Sequence, residues 1–196
     1  MASVVDICNS ALNQIGASNI ISLTEDSKAA RICNQRYDFI RDYVFRAHPW
    51  NSLIQRTTLA ADTATPAFEF AKQFSLPTDP CCLRVLSLDD PDIIFRVEGR
   101  KILTDESTIK LKYVGRITDP NAYDTLLIET IAAALAADLA YPLVGSATLG
   151  ANMNVFYQEK LKEARFVDAT EDNQINTSDT SISQNFSADT FINSRL

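Results

Sequence analysis

The sequence predicts an α+β protein: a four-helix α-helical layer with a small antiparallel β subdomain inserted between helices two and three, plus an extended C-terminal arm. Three features carry this reading. Apolar residues recur at helical spacing before residue 48 and again after residue 120. Between them lie short β-branched and aromatic runs broken by Pro, Asp and Gly, and the chain beyond residue 171 follows neither pattern. The segments are therefore 1–51 and 118–171 for the helical core, 52–117 for the inserted strands, and 172–196 for the arm.

The first helix is predicted over about residues 4–15. Ser3 and Asp6 form an S-x-x-D capping box ahead of Ile7, Cys8, Ala11, Leu12 and Ile15, and Gly16 terminates it. A turn containing Ser22, Thr24, Glu25 and Asp26 leads to a second helix over about 27–47. Its apolar stripe is Ala30, Cys33, Tyr37, Ile40 and Val44, and Arg31, Arg36, Asp38, Arg41 and Asp42 make the polar face. Glu25 and Asp26 read as helix N-cap chemistry.

The only histidine and the only tryptophan fall together in the stretch HPWN, His48 to Asn51. His48 is placed where a protonated imidazole would complement the exposed carbonyls of a helix C-terminus. Pro49 breaks the helix, Trp50 wedges its ring between helical and β layers, and Asn51 bonds local backbone. His48, Pro49 and Trp50 are thus read as a structural joint, with Trp50 largely buried.

Beyond the joint, FEFAKQFSLP, CLRVLSL, IIFRVEGRKILTD and TIKLKYVGR read as strands of one small antiparallel sheet, with a hairpin turn across Val97 to Lys101. Helix then returns. Asp119 or Asn121 can cap it, Pro120 suits its first turn, and Tyr123, Leu126, Leu127, Thr130, Ile131, Ala134, Leu135, Asp138 and Leu139 make one long face over about 121–143. Pro142 and Gly145 end it. Ser146 caps a fourth helix, about 147–170, with Met153, Phe156, Leu161, Ala164 and Val167 as core candidates. The Ala-rich surface around Ala133 and Ala137 looks too apolar for a solvated monomer and is assigned to subunit contact.

Composition narrows function. The net charge of −7 argues against general nucleic-acid binding, which needs clustered Lys and Arg, although DNA passing through a pore would need no such grip. No signal-peptide pattern opens the sequence, and the apolar run from Thr130 to Val144 is too short to span a bilayer, so the protein is expected to be soluble when made. Cys8, Cys33, Cys81 and Cys82 lack metal-ligand spacing, and with one histidine they predict reduced thiols, no metal site and no cofactor. The arm is rich in Ser, Thr, Asn, Gln and Asp and has no Lys, Pro or Gly. Too polar to order alone, it carries Ile182, Phe186, Phe191, Ile192 and Leu196 as spaced anchors for a partner.

No nucleophile–base–acid set, P-loop or dinucleotide fingerprint is present. The order of segments instead resembles the tail tubular protein A, or head-to-tail adaptor, family of short-tailed bacteriophages. The segments concerned are ALNQIGA, ISLTEDSKAARICNQRYDFIRDYVFRAHPWN, FSLPTDPCCLRVLSL, VEGRKILTD, LKYVGRITDP and LIETIAAALAADLAYPLVGS, together spanning about residues 11–146. None is a catalytic motif; the resemblance lies in their order and the length of the joint.

That resemblance implies a structural protein of the virion tail, made in the host cytoplasm. Its partners would be further copies in a twelve-subunit ring, the portal protein, the tail nozzle (tail tubular protein B) and a tail fibre, with DNA passing through without specific binding. The arm is the part expected to dock on the portal. A competing reading is a virion-associated peptidoglycan hydrolase, which would need paired carboxylates; Glu98, Glu129 and Glu159 lie on unrelated predicted elements. A cytoplasmic scaffold or chaperone is a further alternative.

Overall fold

The computed structural model describes residues 2–171. Its helices are α1 (Val4–Gln14), α2 (Lys28–Ala47), α3 (Thr125–Val144) and α4 (Ala147–Glu171). Its strands are β1 (Ile54–Ala60), β2 (Lys72–Ser75), β3 (Cys82–Leu88), β4 (Arg96–Glu98), β5 (Lys101–Thr104) and β6 (Thr108–Gly115), all lying between α2 and α3 in the chain. The class is α+β.

Local chemistry sets the helix ends. The Ser3 hydroxyl accepts from the Asp6 amide at 3.1 Å while the Asp6 carboxylate accepts from the Ser3 amide at 2.9 Å, the expected capping box. Ser27 caps α2 by accepting from the Ala30 amide, and Glu25 accepts from the amides of Ile21 and Ser22 in the preceding turn. The third helix starts later than residue 121. Asp119 caps only a 3-10 turn, Pro120–Ala122, and Asp124 caps α3 through the Leu126 amide at 2.8 Å. Pro142 lies inside α3 and does not end it, because its missing N–H costs one backbone bond in a last turn that Gly145 closes at φ 74°.

α3 is the centre of the molecule. Leu127, Ile131, Leu135 and Leu139 are buried as the helical spacing requires, and so are Ala132, Ala133, Ala136 and Ala140. The reason is that α1, α2 and α4 all pack on it, so the expected single face is in fact buried surface on nearly every side. By length and hydropathy alone α3 could cross a bilayer, yet here it is a core helix. Lys28 at the start of α2 donates to the Pro142 carbonyl, and the Arg36 guanidinium grips Asp138 at 2.6 and 3.0 Å, so α2 runs antiparallel to α3. On α4, Tyr157, Leu161 and Ala164 are buried, with Met153, Phe156 and Val167 only half-buried; Tyr157 is a core residue outside the predicted set.

The strands form two three-stranded antiparallel sheets, β1-β6-β3 and β2-β5-β4, where the sequence suggested one. β1 was not among the expected strands. The stretch before β2 is a turn in which Glu69 adopts φ 70°, so only Lys72–Ser75 pairs, against β5. Gly99 and Arg100 make the predicted hairpin turn with φ of 51° and 63°. Phe74, Leu88, Ile102, Ile109, Leu111 and Tyr113 pack between the sheets as a second core, distinct from the helical one. Val114 and Leu53 belong to the helical core and tie the first sheet to it.

Ala133 cannot serve as a subunit contact. It is completely buried in its own protomer, whereas Ala137 is half-buried. Ala137 also borders the close approach of α3 and α4 at Gly150, where an added Cβ would lie 3.9 Å from the Ala137 carbonyl and from the Ala140 Cβ. The small residues therefore serve internal packing. Ala133→Glu would bury an unpaired carboxylate and is expected to cost at least about 4 kcal/mol, abolishing cooperative folding, whereas Ala137→Glu costs distinctly less. Thermal unfolding followed by circular dichroism distinguishes the two, and equal losses would contradict this packing.

Candidate interaction surfaces

The HPWN joint is built by two segments far apart in the chain, the end of α2 with the residues that follow it and the last turns of α4. His48 ends α2 in extended backbone, which turns Trp50 into the core, 2% exposed, with its indole N–H donating to the Val44 carbonyl at 3.0 Å. The His48 and Trp50 rings meet edge to face at 4.9 Å. The decisive partner is Asp168 on α4. Its carboxylate accepts from the Asn51 amide at 3.0 Å and lies 3.0 Å from His48 Nε2, while the Asn51 side-chain amide donates to the Asp168 carbonyl at 2.8 Å. Arg165, one turn earlier, donates to the Ala47 carbonyl at 2.6 Å and so satisfies an orphan acceptor at the end of α2.

Two expectations for the joint are corrected here. Asn51 bonds α4 and not local backbone. His48 is not held protonated by the helix terminus: burial pushes its pKa below the ordinary 6.5, Asp168 pulls it up by less, and Arg165 and Arg84 add to the lowering. A carboxylate can only accept, so the neutral ring presents Nε2–H to Asp168.

Next to the joint, Arg41 departs from the polar face assigned to it. It is buried, bonds Asp38 at 2.7 Å and Asp42 at 2.9 Å, and lies over the Tyr37 and Phe45 rings. Asp42 also pairs with Arg116 at 2.6 Å, which fastens the end of β6 to α2. A groove of about 470 Å³ runs past Tyr37, Arg41 and Arg116, but these charges already satisfy one another.

The surface left apolar lies partly on the helix pair 121–170, as predicted, and partly on α2, but not around Ala133. Phe39 and Tyr43 stand one turn apart on α2 and are 69% and 58% exposed; Val155 and Phe166 on α4 are 58% and 71% exposed. Tyr43 reaches the Tyr157 ring at 6.3 Å, so the α2 row borders α4. Interleaved charges such as Asp38, Asp42 and Arg46 hid this row from a composition-based reading. Of the carboxylates considered for hydrolysis, Glu98 ends β4, Glu129 lies on α3 and Glu159 on α4, and no hydrogen bond links any two. Cys8, Cys33 and Cys82 are buried free thiols and Cys81 is half-buried; among the described residues no three His, Cys, Asp or Glu gather as metal ligands. The arm anchors Ile182, Phe186, Phe191, Ile192 and Leu196 lie outside the described residues.

No protein-family model matches the chain, and no curated protein sequence matches it.

The joint makes a stability prediction. Asp168→Ala removes the acceptor for both the Asn51 amide and His48, and is expected to cost about 2–4 kcal/mol in denaturant unfolding. With a depressed folded-state pKa, His48 contributes stability that is fully present above about 6.5 and is lost as pH falls below it, since the unfolded state then binds the extra proton. As this is the only histidine, His48→Gln should flatten the histidine part of the pH dependence between about pH 7 and 5. An unchanged slope would contradict the assignment.

Proposed function

We propose that the chain is a ring-forming head-to-tail adaptor of a short-tailed bacteriophage, a structural virion protein that joins the portal to the tail nozzle. The observation that carries the reading is the exposed aromatic and aliphatic surface on α2 and α4, taken with the resemblance in segment order. Phe39, Tyr43, Val155 and Phe166 present large apolar side chains that an isolated domain gains nothing by exposing. A surface of this kind on one protomer meeting a different surface on the next gives a heterologous contact, and such contacts close into a ring when the rotation between successive copies closes. In this reading twelve copies surround the DNA channel, the nozzle protein docks on the ring, and a tail fibre attaches to it.

The helical layer supplies the rigid body for that role. The subunit contact is assigned to the outer faces of α2 and α4 in place of Ala133 and Ala137. The arm, residues 172–196, is assigned to the portal through its spaced Ile and Phe anchors. Many arms on one ring would act together, so a weak single contact becomes a firm one. The hydrolase alternative has no observation of its own in favour, because its carboxylates lie on separate elements.

Electron microscopy of the protein mixed with portal should show twelve-fold rings, and a turbidity assay on cell-wall suspensions should show no clearing. Phe39→Asp combined with Tyr43→Asp should abolish ring formation while keeping a cooperative thermal transition, its midpoint lowered only modestly because Phe39 faces solvent and Tyr43 gives up one ring contact with Tyr157. Rings that form normally in the double variant would move the contact off α2. Removal of residues 172–196 should leave the helical unfolding transition intact and lose stable portal docking; unchanged docking affinity would refute the role of the arm.

A further inference from the structure

α2 and α4 both run antiparallel to α3 and end side by side. Arg165 on α4 bonds the Ala47 carbonyl at the end of α2, and Asp168 holds His48 and Asn51 just beyond it. From there the chain becomes β1 almost at once, since Asn51–Leu53 is a single 3-10 turn and the strand begins at Ile54. α4 ends at Glu171, less than one turn past Asp168. Residues 172–196 therefore start beside the root of β1.

β1 is an end strand of its sheet and pairs with β6 over Ile54–Ala60. In an antiparallel ladder every second residue turns its N–H and carbonyl away from the neighbouring strand. Among the described residues, those outward groups over 55–60 have no backbone partner; the next tie is past the strand, where the Asp62 N–H donates to the Gln73 carbonyl at 2.8 Å. Exposed strand edges are usually blunted by bulges, shortness or Pro. The other edges here are blunted in that way: β3 has two register shifts, β4 is three residues long, and β2 is four residues long and tied to Asp62. β1 is seven residues long, pairs in regular register and contains no Pro.

The adjoining chain suits this edge. Residues 172–181 contain neither Pro nor Gly, so every N–H is available for a ladder, and Ile175, Thr177 and Thr180 are β-branched. Their only charges are the carboxylates of Asp172 and Asp179. Arg56 on β1 stands opposite Lys112, a like-charge pair that is destabilising across a sheet and that nearby carboxylates offset. We propose that residues from about 173 to 181 lie parallel to β1 of the same chain as a fourth strand, giving the order arm-β1-β6-β3. The tether between Glu171 and the edge is short, which gives the chain's own arm a high effective concentration there over any other copy's. Ile182, Phe186, Phe191, Ile192 and Leu196 lie beyond the paired stretch and stay available to a partner. Pairing also fixes where they leave the domain. The inference holds whether or not the chain assembles into a ring.

The test is residue-resolved amide hydrogen exchange and nuclear Overhauser contacts on the full chain. Every amide from Gln55 to Ala60 should be protected, the outward ones included, and backbone protons of 173–181 should contact β1 in the pattern of a parallel ladder. Ile175→Pro with Asn176→Pro removes two adjacent donors, one of which faces β1 in any register, and leaves the described fold untouched. The outward amides of β1 should then exchange at least about tenfold faster, while those facing β6 and those of α3 keep their rates. Asn185→Pro, beyond the paired stretch, is the control and should leave β1 exchange within about twofold. Outward β1 amides that exchange freely in the unaltered protein overturn the proposal, as does protection that survives the double proline variant. In a mixture of isotope-labelled and unlabelled chains, contacts between arm and β1 that arise across chains also overturn it and give the edge to another copy's arm.

Discussion

Covering α3 is the constraint on which the rest of the helical half depends. A helix with Leu, Ile and Ala around nearly its whole circumference has no face it can show to water. It must be enclosed, and α1, α2 and α4 do so from different sides. Alanine is what makes the enclosure close. Ala132, Ala133, Ala136 and Ala140 are fully buried, and at Gly150 the α4 backbone comes near enough to α3 that an added Cβ would touch it. The polar groups of this core are arranged accordingly: Thr130 satisfies its hydroxyl on the Leu126 carbonyl inside the same helix, and the charged contacts of α3 lie at its rim, where Arg36 holds Asp138.

With the helices fixed around α3, the strands need an anchor, and the HPWN joint supplies it. α2 ends because Pro49 and the extended His48 leave helical geometry. What fixes the direction of exit is α4, through Asp168 on His48 and Asn51 and Arg165 on Ala47. Arg116 on Asp42 and the mutual contacts of Arg46 and Arg84 then tie β6 and β3 to the same helix. These are charged or charge-assisted bonds at a seam between two apolar cores, where partial burial strengthens them and each donor left alone would be costly. Orientation at the seam thus depends on few groups, while each core is held by area.

What remains outside the two cores divides by chemistry. The outer faces of α2 and α4 expose aromatic and aliphatic side chains, whereas the first sheet carries Arg56 opposite Lys112, with the neighbouring Lys110 paired to Asp89. Apolar surface gains by meeting another apolar surface, and cations gain by meeting phosphate or carboxylate. The two surfaces differ in the partner chemistry they suit.

The sequence by itself determined the class, the order of elements and most of their ends. Capping residues and periodicity act within a few positions, so the Ser3–Asp6 box, the Ser27 cap, the Gly99 turn and the strands CLRVLSL and TIKLKYVG were legible directly. The burial of Trp50 was legible too, because a lone tryptophan beside a helix-breaking proline has few other places to go. Other features depended on residues far apart in the chain. Asp168 is 120 residues from His48, and nothing local marks it as the group that holds the joint. Arg41 looked solvent-facing until Asp38, Asp42 and two aromatic rings closed over it. Ala133 looked like spare apolar surface, since the sequence records that alanines permit close approach but not which helix approaches. The division into two sheets was decided by β2 pairing with β5 and not with β6, a choice between similar short strands that only packing around Phe74 and Ile102 settles. Local backbone chemistry is written in neighbouring residues; which surfaces meet is decided by the free energy of the whole assembled core.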